Sequence, residues 1–330
     1  MEIVYVHLNS RIPIHLFLNL RRSRKLFPSQ KITLISNMNQ NVPKGIKLEL
    51  FTKTEEWFEV EDRLKHPKNF RNNFWMTSLG RFLALADYQN RINEPILHVE
   101  SDVIVSKDFP LNIFEYTVSK ISYPILSNER GIASILFLPN KDSSNKLLEQ
   151  LHTSSLMDPY TSDMLILGNL YKQSNEVLPL PIGPKGAENY RDFLPDALLE
   201  SWENDLDKFG GIFDGWDVGG FFFGTDPRNA RGRSFLQRDV PSEFSNIRSW
   251  KIKYSKDREF INLEFNDVSI PIYCLHLTSK QLGLFKVNLP KKRIDKLLKI
   301  RETEYSKFYY RIFFNQVLIS LLRRIRIWLR

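Results

Sequence analysis

The chain has 330 residues, 42% of them hydrophobic and 13% aromatic, which is enough to fill a sizeable core and excludes a disordered protein. The formal net charge of +9 is not a whole-chain property: residues 291–330 carry 12 Lys/Arg against 3 acids, leaving 35 bases and 35 acids in residues 1–290. The single cysteine, Cys274, excludes an intramolecular disulfide and fits a reducing compartment.

The N-terminus, "MEIVYVHLNSRIPIHL", has no basic segment followed by a long apolar core, so no secretory signal is expected. No stretch approaches the roughly 20 apolar residues of a membrane span. The expectation is a cytoplasmic protein, soluble or peripheral on the inner face of the membrane.

In chain order, "EIVYVHL" (2–8) reads as a buried strand and "PIHLFLNLRRSRKLF" (13–27) as a helix stopped by Pro28. "KITLISN" (31–37) is a second strand. "NFWMTSLGRFLALADYQNR" (73–91) has helical spacing, with Trp75, Leu79, Phe82, Leu83 and Ala86 on one side, and "PILHVE" (95–100) returns as a strand. This alternation predicts a mainly parallel α/β sheet with helices on both faces. Ligands of such sheets sit at the carboxyl ends of the strands, where Asn9 and the turn Glu100–Ser101–Asp102 fall. Further on, strands are expected at 133–139 and 268–277, a helix at 162–171 and a loop at 178–186. Residues 1–290 read as one domain and 291–330 as a separate basic tail.

The acidic turn is the feature that needs a reason. Carboxylates are costly to desolvate unless paired or bound to a metal, yet Glu100 and Asp102 interrupt the apolar run "PILHVESDVIV". Two carboxylates at a sheet's mouth suit Mg²⁺ or Mn²⁺ together with substrate phosphates. Other phosphate designs are absent. There is no P-loop motif, and "GWDVGGFFFG" does not supply a dinucleotide fingerprint. An aspartyl-phosphate phosphatase needs Asp first, where this chain has Glu100.

The stretch "RFLALADYQNRINEPILHVESDVIVSKDF" resembles the core of a GT-A type nucleotide-sugar glycosyltransferase. "FDGWDVGGFFFGTDPRNARG" (213–232) is similar to a segment of bacterial glycosyltransferases linked to surface polysaccharide, and "CLHLTSK" (274–280) resembles the closing His…Lys element of GT-A enzymes. The resemblance implies a metal on Asp102, completed by His276, with Lys280 meeting the departing diphosphate. Glu100 stands where the usual motif begins with Asp, and its role stays open among metal, metal-bound water and donor ribose. Asn9, Ser10, Arg71, Arg81 and Ser101 are the expected further donor contacts, Arg81 before Arg71 because it lies among apolar helix residues. A hydrogen-bonded strand-end histidine and a surface lysine are the plain alternatives for His276 and Lys280.

"GGIFDGWDVGGFFFG" has six glycines in fifteen residues, a density that permits close approach to a ligand. Trp216, Gly219 and Gly220 are the expected acceptor contacts. Asp214 and Asp217 are candidate general bases for the acceptor hydroxyl. Asp163 opens a helix, and by the resemblance it lies near the donor sugar.

The tail segment "KFYYRIFFNQVLISLLRRIRIWLR" combines six bases, no acid and many large apolar residues. Residues 305–330 suit an interfacial helix on anionic lipid, with packing on the domain or a partner as the alternative. A nucleic-acid arm is not expected, because such arms carry fewer bulky aliphatics. The reading is thus sugar transfer from a nucleoside-diphosphate donor to a glycan or lipid-linked acceptor. Its rivals are a sugar-phosphate nucleotidyltransferase and a non-catalytic glycan- or head-group-binding protein.

Overall fold

The computed structural model describes residues 1–71, 73–127, 129–185, 196–224, 247–255, 259–278 and 285. The basic tail, Lys280 and the segment 226–229 lie outside the described residues.

The first half alternates as its patterning dictates: β1 (Glu2–Val6), α1 (Ile14–Leu26), β2 (Lys31–Ser36), β3 (Lys47–Leu50), α2 (Glu55–Arg63), α3 (Phe74–Ile92), β4 (Ile96–Val99) and β5 (Val103–Val105). Then follow α4 (Leu111–Tyr116), β6 (Ile121–Ser127), β7 (Arg130–Gly131), β8 (Ile135–Leu138), α5 (Lys141–Met157), α6 (Asp163–Gln173), β9 (Val177–Leu180), α7 (Asp196–Phe209), β10 (Ile212–Phe213), α8 (Asp217–Phe223), β11 (Lys251–Tyr254), β12 (Ile261–Phe265) and β13 (Val268–His276).

The main sheet runs β3-β2-β1-β4-β8-β6-β7, with β9 beside β6. Strands β3, β2, β1 and β4 are mutually parallel, as are β6 and β9, while β8 is antiparallel to both of its neighbours. The strands' period-2 alternation separates two cores. Val4, Ile96, Leu136 and Leu138 face a core built with α2, α3, α5 and α6. Ile3, Tyr5, Leu97, Val99, Ile135 and Phe137 face the other, closed by α1 and α4. The mainly parallel sheet flanked on both faces is therefore the fold observed.

A second sheet, β10-β13-β12-β11, takes β5 against β13. The "VIV" after the acids crosses the chain into this second sheet. One expectation needs correction. The segment 178–186, read as a loop, begins inside β9, whose Pro179 concealed it; among the described residues β9 pairs only with β6, and a proline is tolerated on a strand with one open edge. Within the glycine-rich segment, Asp217–Phe223 is helical.

Candidate active site

The site is built where β4 ends. Ile96 to Val99 are all buried, and the chain then turns, the Val103 amide donating to the Glu100 carbonyl at 3.1 Å. Three elements hold the turn. The Glu100 amide donates to the Ser134 carbonyl at 3.0 Å, and the Leu277 amide to the Asp102 carbonyl at 2.7 Å. From α1, the buried Asn19 donates to the carbonyls of Ser101 and Val103 at 3.3 and 2.7 Å.

The β5–β13 ladder sets His276 opposite Val103. His276 Nε2 lies 3.5 Å from Asp102 Oδ1 and 3.6 Å from Glu100 Oε2. The donor atoms of the three residues lie within 4.8 Å of one another. His276 Nδ1 donates to the Gly215 carbonyl at 2.5 Å, which leaves Nε2 aimed at the acids. Burial alone would lower the His276 pKa, but the Asp102 and Glu100 carboxylates reverse this and push it up to about 9. Two carboxylates and an oriented imidazole are a donor set that fits a divalent cation.

Arg81 sits behind this cluster, buried, bridging two acids. Its Nη1 donates to Glu100 Oε1 at 2.7 Å and its Nη2 to Asp163 Oδ2. Asp163 is both a first-turn acid of α6, after the Ser162 cap, and the far end of this bridge. Burial raises its pKa against the pull of Arg81.

Asp214 is buried directly after β10. Its carboxylate accepts from the amides of Val218, Gly219 and His276 at 3.1, 2.9 and 2.9 Å, and burial raises its pKa against them. Asp217, equally buried, lies in the first turn of α8. Gly219 does make a close approach, and the neighbour is the chain itself: a Cβ there would lie 1.8 Å from the His276 carbonyl oxygen. At Gly220 a Cβ would meet the half-buried Trp216 ring at 3.0 Å.

The donor-side residues are spread more widely. Asn9 takes a left-handed φ of 61° beyond β1 and exchanges two hydrogen bonds with Asn37 beyond β2, 2.8 and 2.9 Å. Ser10 Oγ lies 2.8 Å from His7 Nε2. Arg71 stands apart from Arg81, its guanidinium over the rings of Phe70 and Phe74 at the start of α3. The structure thus brings together Glu100, Asp102, His276, Arg81 and Asp163, with Asp214 and Gly219 immediately behind His276. Sequence reasoning missed Asn19 and Asn37. Asn19 had a signal: a polar residue between Leu16 and Leu20 in the buried stripe of α1.

No family model and no curated protein matches the sequence. Among solved structures the chain is similar to the galactosyltransferase LgtC in complex with donor and acceptor sugar analogs, at TM-score 0.39 and 12% identity over 94% of this chain and 99% of that one. It is also similar to mouse xyloside xylosyltransferase 1, at TM-score 0.40 and 10% identity over 55% and 84% of the two chains. A third is the glycosyltransferase GlyE of Streptococcus pneumoniae, at TM-score 0.34 and 17% identity over 53% and 44%. At these scores the likenesses carry no argument; the geometry of the site does.

Proposed function

We propose that the chain is a metal-assisted glycosyltransferase that moves a sugar from a nucleoside-diphosphate donor to a hydroxyl of a glycan or lipid-linked acceptor. The observation that carries this reading is the convergence of Glu100, Asp102 and His276 at the carboxyl end of a parallel strand. Those three residues would hold Mn²⁺ or Mg²⁺. When bound, such an ion supplies positive charge against the diphosphate that leaves.

The chain's own groups supply the rest. Arg81 fixes the Glu100 carboxylate and keeps Asp163 beside it. Asn9, Ser10 and Ser101 line the strand ends on which the nucleotide would lie, with Lys280 as a further contact to the diphosphate and Arg71 at the edge. Trp216 offers a ring for an acceptor sugar to stack upon, beside Gly219 and Gly220. Asp163, whose side chain keeps 17% of its exposure, is better placed for the acceptor's proton than the buried Asp214 and Asp217. As that proton passes to Asp163, the acceptor oxygen bonds the anomeric carbon and the sugar–diphosphate bond breaks. Asp214 serves as a positioning group, tying α8 to His276. The tail, 305–330, would add contact with anionic lipid; deleting it without loss of membrane partition would remove that part.

The test is nucleoside-diphosphate release from a panel of sugar donors, with Mn²⁺ and with chelator, for the wild type and Asp102→Ala. Metal-dependent release of one donor's diphosphate, lost in the variant, is the expected result. No release, together with no metal-dependent binding of any nucleoside diphosphate, would leave a non-catalytic binding protein.

A further inference from the structure

The rim beside Asp163 and Arg81 carries a surface that the transfer chemistry does not use. The exposed Lys65 and Lys68 lie on the segment before α3, which itself carries no acid from 64 to 86 and whose Asn73 binds the Glu61 carboxylate of α2 at 2.6 Å. Phe70 and Phe74 are exposed on the same segment, and Tyr160 faces it, 58% exposed. The end of α5 leads into the same turn with Leu156 and Met157, 67% and 81% exposed. This is a run of large apolar side chains of a kind soluble surfaces rarely display together.

The surface is held in shape from beneath. The Lys65 amide donates to the Pro159 carbonyl at 2.9 Å, and His66 Nε2 lies 2.9 Å from the Thr161 carbonyl. The His66 ring stacks on Trp75 at 4.4 Å and meets Tyr160 edge-on at 5.6 Å, while Phe70 stacks on Trp75 at 6.1 Å. Asp158, the acid of the turn, accepts the Tyr160 amide at 2.8 Å.

Two occupants can be compared. A sugar would need open ring faces and hydrogen-bonding edges. Here the faces of His66, Trp75 and Phe70 are stacked on one another, and Leu156 and Met157 offer a hydroxyl nothing. Large apolar side chains among lysines suit the boundary of an anionic bilayer. We propose that this rim, with Lys65, Lys68, Phe70, Phe74, Met157 and Tyr160, docks on an anionic lipid surface. The apolar side chains enter the head-group boundary and the lysines meet lipid phosphates.

Tyr160 is three residues before Asp163, and Phe74 lies seven residues before Arg81, about 10 Å along one stripe of α3. Docking there sets the mouth of the site against the head groups. Under the transferase reading, on which this consequence rests, the acceptor is then lipid-linked. The contact itself needs no turnover, so the two readings fail separately.

The test places an environment-sensitive bimane on Phe74→Cys in the full chain; the native Cys274 is buried and would not compete for label. A Tyr116→Cys control is 81% exposed next to Glu115, which pairs with the N-terminal amine at the opposite end of β1 from Asn9. With phosphatidylglycerol/phosphatidylcholine vesicles, the position 74 label should shift to the blue and be quenched by a lipid-borne nitroxide, while the position 116 label stays unchanged. Adding Lys65→Gln and Lys68→Gln should abolish most of the shift. A label at Tyr160→Cys repeats the reading independently. No response at 74 and 160, even with the chain adsorbed elsewhere, would overturn the proposal, as would an equal response at 116; either outcome would leave the surface to a protein partner.

Discussion

His276 Nε2 stands 3.5 Å from Asp102 Oδ1, and what brings them together is the β5–β13 ladder, not proximity along the chain. Without a metal, this imidazole holds its proton up to about pH 9, because Asp102 and Glu100 both face it. The folded value lies above the ordinary 6.5. The pairing therefore contributes stability that is whole below pH 6.5 and lost as pH rises through about 9.

A divalent ion must displace that proton. Near pH 7 we expect about one proton released per ion bound, and metal affinity that climbs with pH until about 9 and then levels. Calorimetry of Mn²⁺ binding in buffers of different ionisation enthalpy reads the proton directly. His276→Gln should remove the release and weaken binding.

Arg81 is the shared partner of Glu100 and Asp163, and an ammonium cannot reproduce its planar fork. Removing it strands two partly buried carboxylates. Arg81→Ala should destabilise the fold by about 3–5 kcal/mol, and Arg81→Lys should recover part of that while still lowering Mn²⁺ affinity. Denaturant melts together with metal titration would show both effects.

Asp214 satisfies three buried backbone amides at once. Asp214→Ala leaves all three without an acceptor, so a loss of at least about 2–4 kcal/mol is expected. Asp214→Asn keeps one carbonyl oxygen and should lose less. If Asp214 also acted as a general base, Asn would abolish turnover far beyond what its stability loss explains; urea unfolding beside an activity measurement separates the cases.

Gly219 and Gly220 are adjacent but should respond differently. A methyl at Gly219 collides with the His276 carbonyl and comes within 2.8 Å of Asp214 Oδ2, so α8 must move off β13. Gly219→Ala should cost about 1–3 kcal/mol and weaken Mn²⁺ binding. At Gly220 the nearest atoms the methyl meets belong to the Trp216 ring, at 3.0 Å and beyond, and a ring can tilt. Gly220→Ala should change Trp216 fluorescence with a smaller effect on stability.

Periodicity was enough for the frame of the molecule. The apolar runs in 2–8, 31–37 and 95–100 and the helical stripe of 73–91 appear as β1, β2, β4 and α3, because the strands bury both faces between two cores and the helix packs on one of them. The acidic turn was legible too, since carboxylates in an apolar run demand partners. What those partners are was decided only in three dimensions. The cation beside Glu100 is Arg81 from a helix, Asp163 completes the bridge from another, and His276 arrives from a strand of the second sheet. Asn19 holds the turn through its side chain, and a lone asparagine in a helix does not announce which carbonyl it will meet. Local sequence carries the energy of local structure. The site is made from long-range pairings, whose energy exists only once the sheets have closed.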